Sequence, residues 1–512
     1  MSANFLTSNV FRGLKSEDLV IDTINLLGLE KRIALALNLT VVPEGSETIL
    51  TWSELKQAMN AFEEPKHVDI LKVTQRLMKR ISDIDFKDET KLMVPDLSYF
   101  KQLNAILNVT PPRDIINYLL FGEVMKLLPL TTRKMQLLFA QFNVDIGKDP
   151  GLEAREGTCL DLATEYFGAK VAQLYSKRFH GEATKKLTES LIEDLRSSFG
   201  EMIQEASWMD EVTRQKAVKK LEMVSVSDGF GQTLEDRIIS EVYEGLIGIG
   251  HEELLWNKVT LMKFWGKKEI ERLLGPPSNQ GDINRLGFDT ALVNAMYLPT
   301  ENAVWVPLGI QEPPFFRAGT LDSLNYGAMG MVLGHELTHG FDNLGSKFDQ
   351  DGNLEDWWTK ETKDLFKEKY QCFIDEYEEF VYSELKEIPG FKGPFGVNGT
   401  QTLGENIADN GGIREAFRAY HKLLAKQSTN YQEPALPGLG QYTGDQMFFI
   451  GYASGWCETK TVGSLVNQLL SDPHPPAQLR IQGVLQNNED FHQAFGCKVG
   501  DRMVSEKMCR VW

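Results

Sequence analysis

The chain has 512 residues, 42% hydrophobic and 25% charged, the balance of a globular protein with room for a large core. A formal net charge of −18 repels nucleic-acid phosphates, and no basic cluster with interleaved aromatics offsets it, so a nucleic-acid partner is excluded. No run of eighteen apolar residues exists to span a bilayer, and the first residues lack the basic and apolar regions of a secretory signal, so neither is expected in this sequence.

In chain order, residues 1–274 read as a mostly helical region. Within Lys185–Ala206, Leu187, Leu191, Leu195, Phe199 and Met202 recur at helical spacing and predict one buried stripe. The run Trp208–Val224, with its many basic residues, reads as a solvated helix. Gly275-Pro-Pro-Ser-Asn-Gln-Gly281 is the clearest breaker in the chain and an expected boundary with a second region at 282–512. Beyond it, 291–297 and 302–306 are short, β-rich and separated by Pro299-Thr-Glu, which predicts two neighbouring strands. Gly327–Phe341 contains no proline and can run as one helix. Leu365, Phe366, Tyr370, Phe373, Tyr377 and Phe380 mark an amphipathic helix that carries Cys372, and further helices are expected from Gly404 and over Gln446–Trp456. The expected fold is mainly α with a small β-sheet.

His335-Glu336-Leu337-Thr338-His339 is the strongest chemical signal. Histidines four apart lie one above the other on a helix, so both imidazoles can reach a single metal ion. Glu336 points to one side of that pair, where it can take a proton from a water at the metal rather than bind the metal itself. Small Gly334 and Gly340 bracket the motif, and Asp342 follows His339 by three residues, where it can accept that ring's free N–H. A zinc site of this kind needs a third protein ligand and one open position. A third histidine ten residues after the first is excluded, because position 345 is Gly345. Glu405 fits best: it begins a helix, and Asp409, four residues on and on the same face, can hydrogen-bond His335.

Cys159, Cys372, Cys457, Cys497 and Cys509 are odd in number and form no C-x-x-C pair, so at least one thiol lacks an internal partner and a cysteine metal cluster is not expected. Asn38, Asn108 and Asn398 begin N-x-T sequons, which carry little weight in a chain of this length.

Val293–Tyr297, Pro313–Phe316, Gly334–Asp342, Asp349–Trp358, Leu403–Gly412, Leu436–Leu439, Asp472-Pro-His474, Arg480 and the terminal Cys-Arg-Val-Trp together resemble the neprilysin and endothelin-converting enzyme family of zinc peptidases. The resemblance runs through most of residues 150–512 and more loosely before that. It implies a thermolysin-like catalytic region and a helical region that restricts access to it. It implies zinc on His335, His339 and Glu405, with Glu336 as general base, Asp409 holding His335 and Asp342 orienting His339. It further implies His474 at the oxyanion, Arg480 on a substrate carbonyl, and Asn294 with the Ala295 backbone holding a peptide as an added strand. Ile310, Phe315, Val332 and Trp456 correspond to the walls of a hydrophobic pocket for the side chain just after the cut bond. The family pairs the cysteines matching Cys372 and Cys509; those matching Cys159, Cys457 and Cys497 pair with a front part, preceded by a membrane helix, that this sequence does not contain. The expected function is that of a zinc endopeptidase acting on short peptides before hydrophobic residues, outside the cell by resemblance. The alternative is a peptidase-like scaffold that binds peptides without cutting them.

Overall fold

The computed structural model describes residues 16–38, 48–94, 96–145, 155–179, 182–227, 236–251, 253–274, 291–388, 391–427, 431 and 433–512; the Gly275–Gly281 breaker lies outside them. The chain forms two compact units, one from residues 1–154 with 245–275 and the other from 155–244 with 276–512. Both are mainly helical, with small sheets.

In the first unit, helices Leu97–Val109 and Pro112–Leu127 pack on Ser16–Asn38. Strand Thr48–Thr51 pairs antiparallel with Lys91–Val94, and a small core of Trp52, Leu55, Met59 and Val94 gathers beside the pair. Thr51 ends its strand and caps the helix Trp52–Asn60: its hydroxyl accepts the Glu54 N–H, and the Glu54 carboxylate accepts the Thr51 N–H in return.

The second unit holds the larger core. Helix Glu182–Glu205 buries Leu191, Leu195, Phe199 and Met202 as its stripe requires, with Leu187 half-buried beside them. Residues 155–244 therefore share a core with the C-terminal region, although residues 245–275, which belong to the first unit, intervene in the chain. The next helix, Glu211–Met223, is capped by Asp210 and departs from the solvated reading, because Thr213, Ala217, Lys220 and Leu221 are all buried. Lys220 tolerates burial because its charge meets three backbone carbonyls.

Three short strands follow the order Ser225–Ser227, Ala303–Trp305, Met296–Leu298. The first pair is parallel and the second antiparallel, with Tyr297 opposite Val304. The two expected strands are thus neighbours, and no strand among the described residues pairs with the other edge of Met296–Leu298. The turn between them closes on Asn302, in the left-handed region at φ 44°, where its amide donates to Lys220 O and Gln350 O.

The segment expected as one helix is continuous, but not regular. An α-turn Asp322–Asn325 passes through a π-helical turn, Tyr326–Gly330, into the histidine helix Met331–His339. The glutamate helix, Leu403–Lys426, packs against it face to face. Their approach depends on glycine: a Cβ on Gly412 would lie 2.5 Å from His335 N, and one on Gly334 would lie 2.9 Å from Gly412 O. Behind them, helix Lys360–Glu378 buries Phe366, Tyr370, Phe373 and Tyr377, and Cys372 on it forms a disulfide with Cys509. Cys159, Cys457 and Cys497 remain thiols.

Candidate metal centre

His335 and His339 sit one turn apart, and the glycine-lined contact brings Glu405 from the first turn of the facing helix to meet them. His335 Nδ1 lies 2.8 Å from Asp409 Oδ1, and His339 Nδ1 lies 2.7 Å from Asp342 Oδ2. A carboxylate only accepts, so each Nδ1 carries a hydrogen, and in the neutral ring each Nε2 then presents a lone pair. Those lone pairs face one another across 2.9 Å. Glu405 Oε2 stands 3.2 Å from His335 Nε2, and Oε1 stands 3.5 Å from His339 Nε2.

With both rings neutral, three electron-rich atoms thus converge with no hydrogen between them. Glu405 Oε2 is buried and, with the Nε2 atoms of His335 and His474 each 3.2 Å away, makes no hydrogen bond among the described residues. Burial opposes the Glu405 anion, but positive charge on His339 and His335, with hydrogen bonds from the two charged rings, outweighs it and holds the carboxyl well below the usual range. Donors about 2.0–2.1 Å from a tetrahedral Zn2+ lie roughly 3.3 Å apart, which is close to the observed spacings. The donor set fits a zinc ion.

The supporting shell contains more than the sequence suggested. Asp409, fully buried, orients His335 and also receives Arg480 through two bonds, Nε to Oδ2 at 2.8 Å and Nη2 to Oδ1 at 2.6 Å. Burial disfavours the Asp409 anion, but Arg480 and then His335 pull its pKa below the ordinary value. The guanidinium also lies 3.9 Å from the Trp456 ring centroid, so Trp456 supports a charge as well as lining a pocket. His474 is held by Asp472, whose Oδ1 accepts both its backbone N–H and its Nδ1–H, and its Nε2 lies 3.2 Å from Glu405 Oε2. The Asp-Pro-His spacing was the available signal for that pair, since Asp side chains close such turns on the residue two further on.

A cavity of about 570 Å³ opens over these residues. Glu336, His474, Arg480, Asn294, Ala295, Ile310, Phe315, Val332 and Trp456 all line it, as do His335, His339, Asp342 and Glu405. Asp409 lies behind the wall. Asn294 Oδ1 accepts the Ala295 N–H, which fixes the chain just before Met296–Leu298. Cys372 and Cys509 are not part of this group.

Two histidines on one helix, a glutamate on its neighbour and a free carboxylate over a cleft define a metallopeptidase scaffold. Models of peptidase family M13 match residues 294–511 and residues 8–230, together most of the chain. The chain is 34% identical over 431 residues to neprilysin-1 of Caenorhabditis elegans, covering 83% of this chain and 55% of that protein. It is 32% identical over 508 residues to neprilysin of Homo sapiens, covering 98% and 65%. The chain therefore spans little more than half to two thirds of these relatives' length. Among solved structures, the zinc metalloprotease Zmp1 of Mycobacterium tuberculosis, in complex with an inhibitor, superposes with a TM-score of 0.82 at 26% identity, over 98% of this chain and 72% of that one. PepO of Lactobacillus rhamnosis shares the fold with a TM-score of 0.78 at 22% identity, over 99% and 72%. The chain belongs to peptidase family M13.

Proposed function

We propose that this chain is a zinc-dependent endopeptidase that hydrolyses short peptides on the amino side of hydrophobic residues. The observation that carries the reading is the convergence of the His335, His339 and Glu405 donor atoms, all within 4.8 Å of one another, with Glu336 beside them in the same cleft. Zinc, when bound, polarises the scissile carbonyl and brings the pKa of water at the site down to about 7.

The chain's own residues do the rest. Asn294 and the Ala295 backbone receive the peptide along the edge of Met296–Leu298 away from Ala303–Trp305, as a strand added to the sheet. Ile310, Phe315, Val332 and Trp456 form an apolar recess for the side chain that follows the cut bond. Glu336 accepts a proton from the attacking water and passes it to the leaving amine. His474, held at Nδ1 by Asp472, donates from Nε2 to the oxyanion when the ring carries both protons, a contribution of about 2.7–4 kcal/mol for one donor. Arg480 is anchored through Nε and Nη2 on Asp409, which leaves Nη1 for a substrate carbonyl. No helix among the described residues is long and apolar enough to cross a membrane. The outward-facing location expected from the family remains part of the proposal.

The test is hydrolysis of an internally quenched peptide library by the purified chain beside Glu336→Gln. Cleavage before hydrophobic residues that a chelator abolishes, zinc restores and Glu336→Gln lacks supports the reading. A folded, zinc-loaded chain that binds peptides but never cuts them favours a binding protein instead.

A further inference from the structure

Lys220 takes no part in the chemistry above, yet it is 1% exposed and its Nζ reaches the turn that follows His339. Its Nζ donates at 2.7 Å to each of three carbonyl oxygens, those of Gly340, Gly345 and Phe348. The rings of Tyr297, Phe341 and Trp357 surround it, with centroids 5.9, 5.3 and 5.7 Å away. Three acceptors use all three hydrogens of an ammonium, whereas a neutral amine has two. Burial draws the Lys220 pKa down to about 7, while Asp342 and Asp349 oppose that loss of charge. Asn302 secures the same residue from behind by donating to its carbonyl at 3.1 Å.

The three carbonyls bracket the turn that carries Asp342. Gly340 directly follows His339, and its carbonyl is one of the acceptors that a helix end leaves unmet. Gly345 gives its carbonyl to Lys220 and its N–H to Asp342 Oδ1 at 2.6 Å. A Cβ at position 345 would lie 1.9 Å from His339 O, so only glycine fits. The remaining Asp342 oxygen receives His339 Nδ1–H. We infer that Lys220 is a positioning residue for the metal centre: it pins the Gly340–Phe348 turn, the turn pins Asp342, and Asp342 aims His339 Nε2. This rests on the zinc reading proposed above.

The test is zinc affinity of the whole chain by chelator competition, for wild type, Lys220→Met, Asp342→Asn and the double variant. Phe373→Leu, in the core of helix Lys360–Glu378, serves as a control for general destabilisation. Lys220→Met is expected to weaken zinc about 10–100-fold, and Asp342→Asn similarly. The double variant should lose no more than the worse single one, since both cut one linkage. Phe373→Leu should lower the melting temperature and leave zinc affinity alone. Losses that multiply in the double variant, or a Lys220→Met chain that melts earlier but binds zinc as before, overturn the inference. Should Lys220→Met not fold, Lys220→Gln, which keeps two donors, takes its place; failure of both to fold assigns Lys220 to the core and also overturns it. A wild-type chain that binds no zinc overturns the zinc reading instead.

Discussion

His335 and His339 are each oriented by a carboxylate, but the two carboxylates are held by unlike means. Asp409 is clamped side chain to side chain by Arg480, buried and stacked on Trp456. Asp342 is held by backbone, with the N–H groups of Leu344 and Gly345 on its Oδ1 at 2.7 and 2.6 Å and Lys220 one step behind. One arm uses a fixed charge pair, and the other a folded turn. A charge pair fails all at once when one partner goes, because the other is left buried and unmatched. A turn can lose one contact and keep most of its shape.

The largest effect is expected between the arms, at Glu336. Glu336→Gln should lower kcat by about 10²–10⁴-fold, measured by steady-state hydrolysis. Zinc affinity should stay unchanged, and a fall in it would place Glu336 among the groups that shape the site. Asp409→Ala comes next, since it strands Arg480 and frees His335. A stability loss of about 3–5 kcal/mol in urea unfolding is expected, with zinc affinity falling too. Asp342→Asn keeps an acceptor for the turn and should cost less than about 2 kcal/mol of stability, although it weakens zinc. Equal stability losses for these two variants would erase the contrast between the arms. Val332→Ala should leave both arms intact and shift the preference between large and small hydrophobic side chains by about 10-fold in kcat/KM. An unchanged preference removes Val332 from the recess.

The smallest effect lies outside both arms. Burial holds the Glu376 carboxyl up at about 7, against the amides of Asn487 and Gln486, which favour the anion. Its folded pKa is above its unfolded one, so its contribution to stability is full below about 4.5 and is lost as pH climbs through 7. The melting temperature should decline over that window, and Glu376→Gln should flatten the decline without touching zinc affinity.

Local pattern carried a good part of this structure. The stripe from Leu191 to Met202, the helical spacing of His335 and His339, and the i+4 pair Glu405 and Asp409 all follow from a 3.6-residue period visible in the chain. The contacts that fix the site run across 71 residues from Arg480 to Asp409 and 120 from Lys220 to Gly340, and no period encodes them. Lys220 was legible only as a surface lysine, because the groups that make its burial tolerable come from two other segments. The grouping of residues 155–244 with the C-terminal core was hidden for the same reason.

The π-helical turn Tyr326–Gly330 has a consequence for length changes in this stretch. It stores one more residue than a regular turn requires. Each helical residue rotates the chain by about 100°, so a single deletion elsewhere between Asp322 and His339 would swing the imidazoles away from Glu405. A deletion within the turn itself can be absorbed by straightening it to α-helix, which leaves the angular phase of His335 and His339 relative to Asp322–Asn325 intact. The histidine helix therefore carries its own spacer, at a place where the chain can be shortened without turning its chemistry away from the cleft.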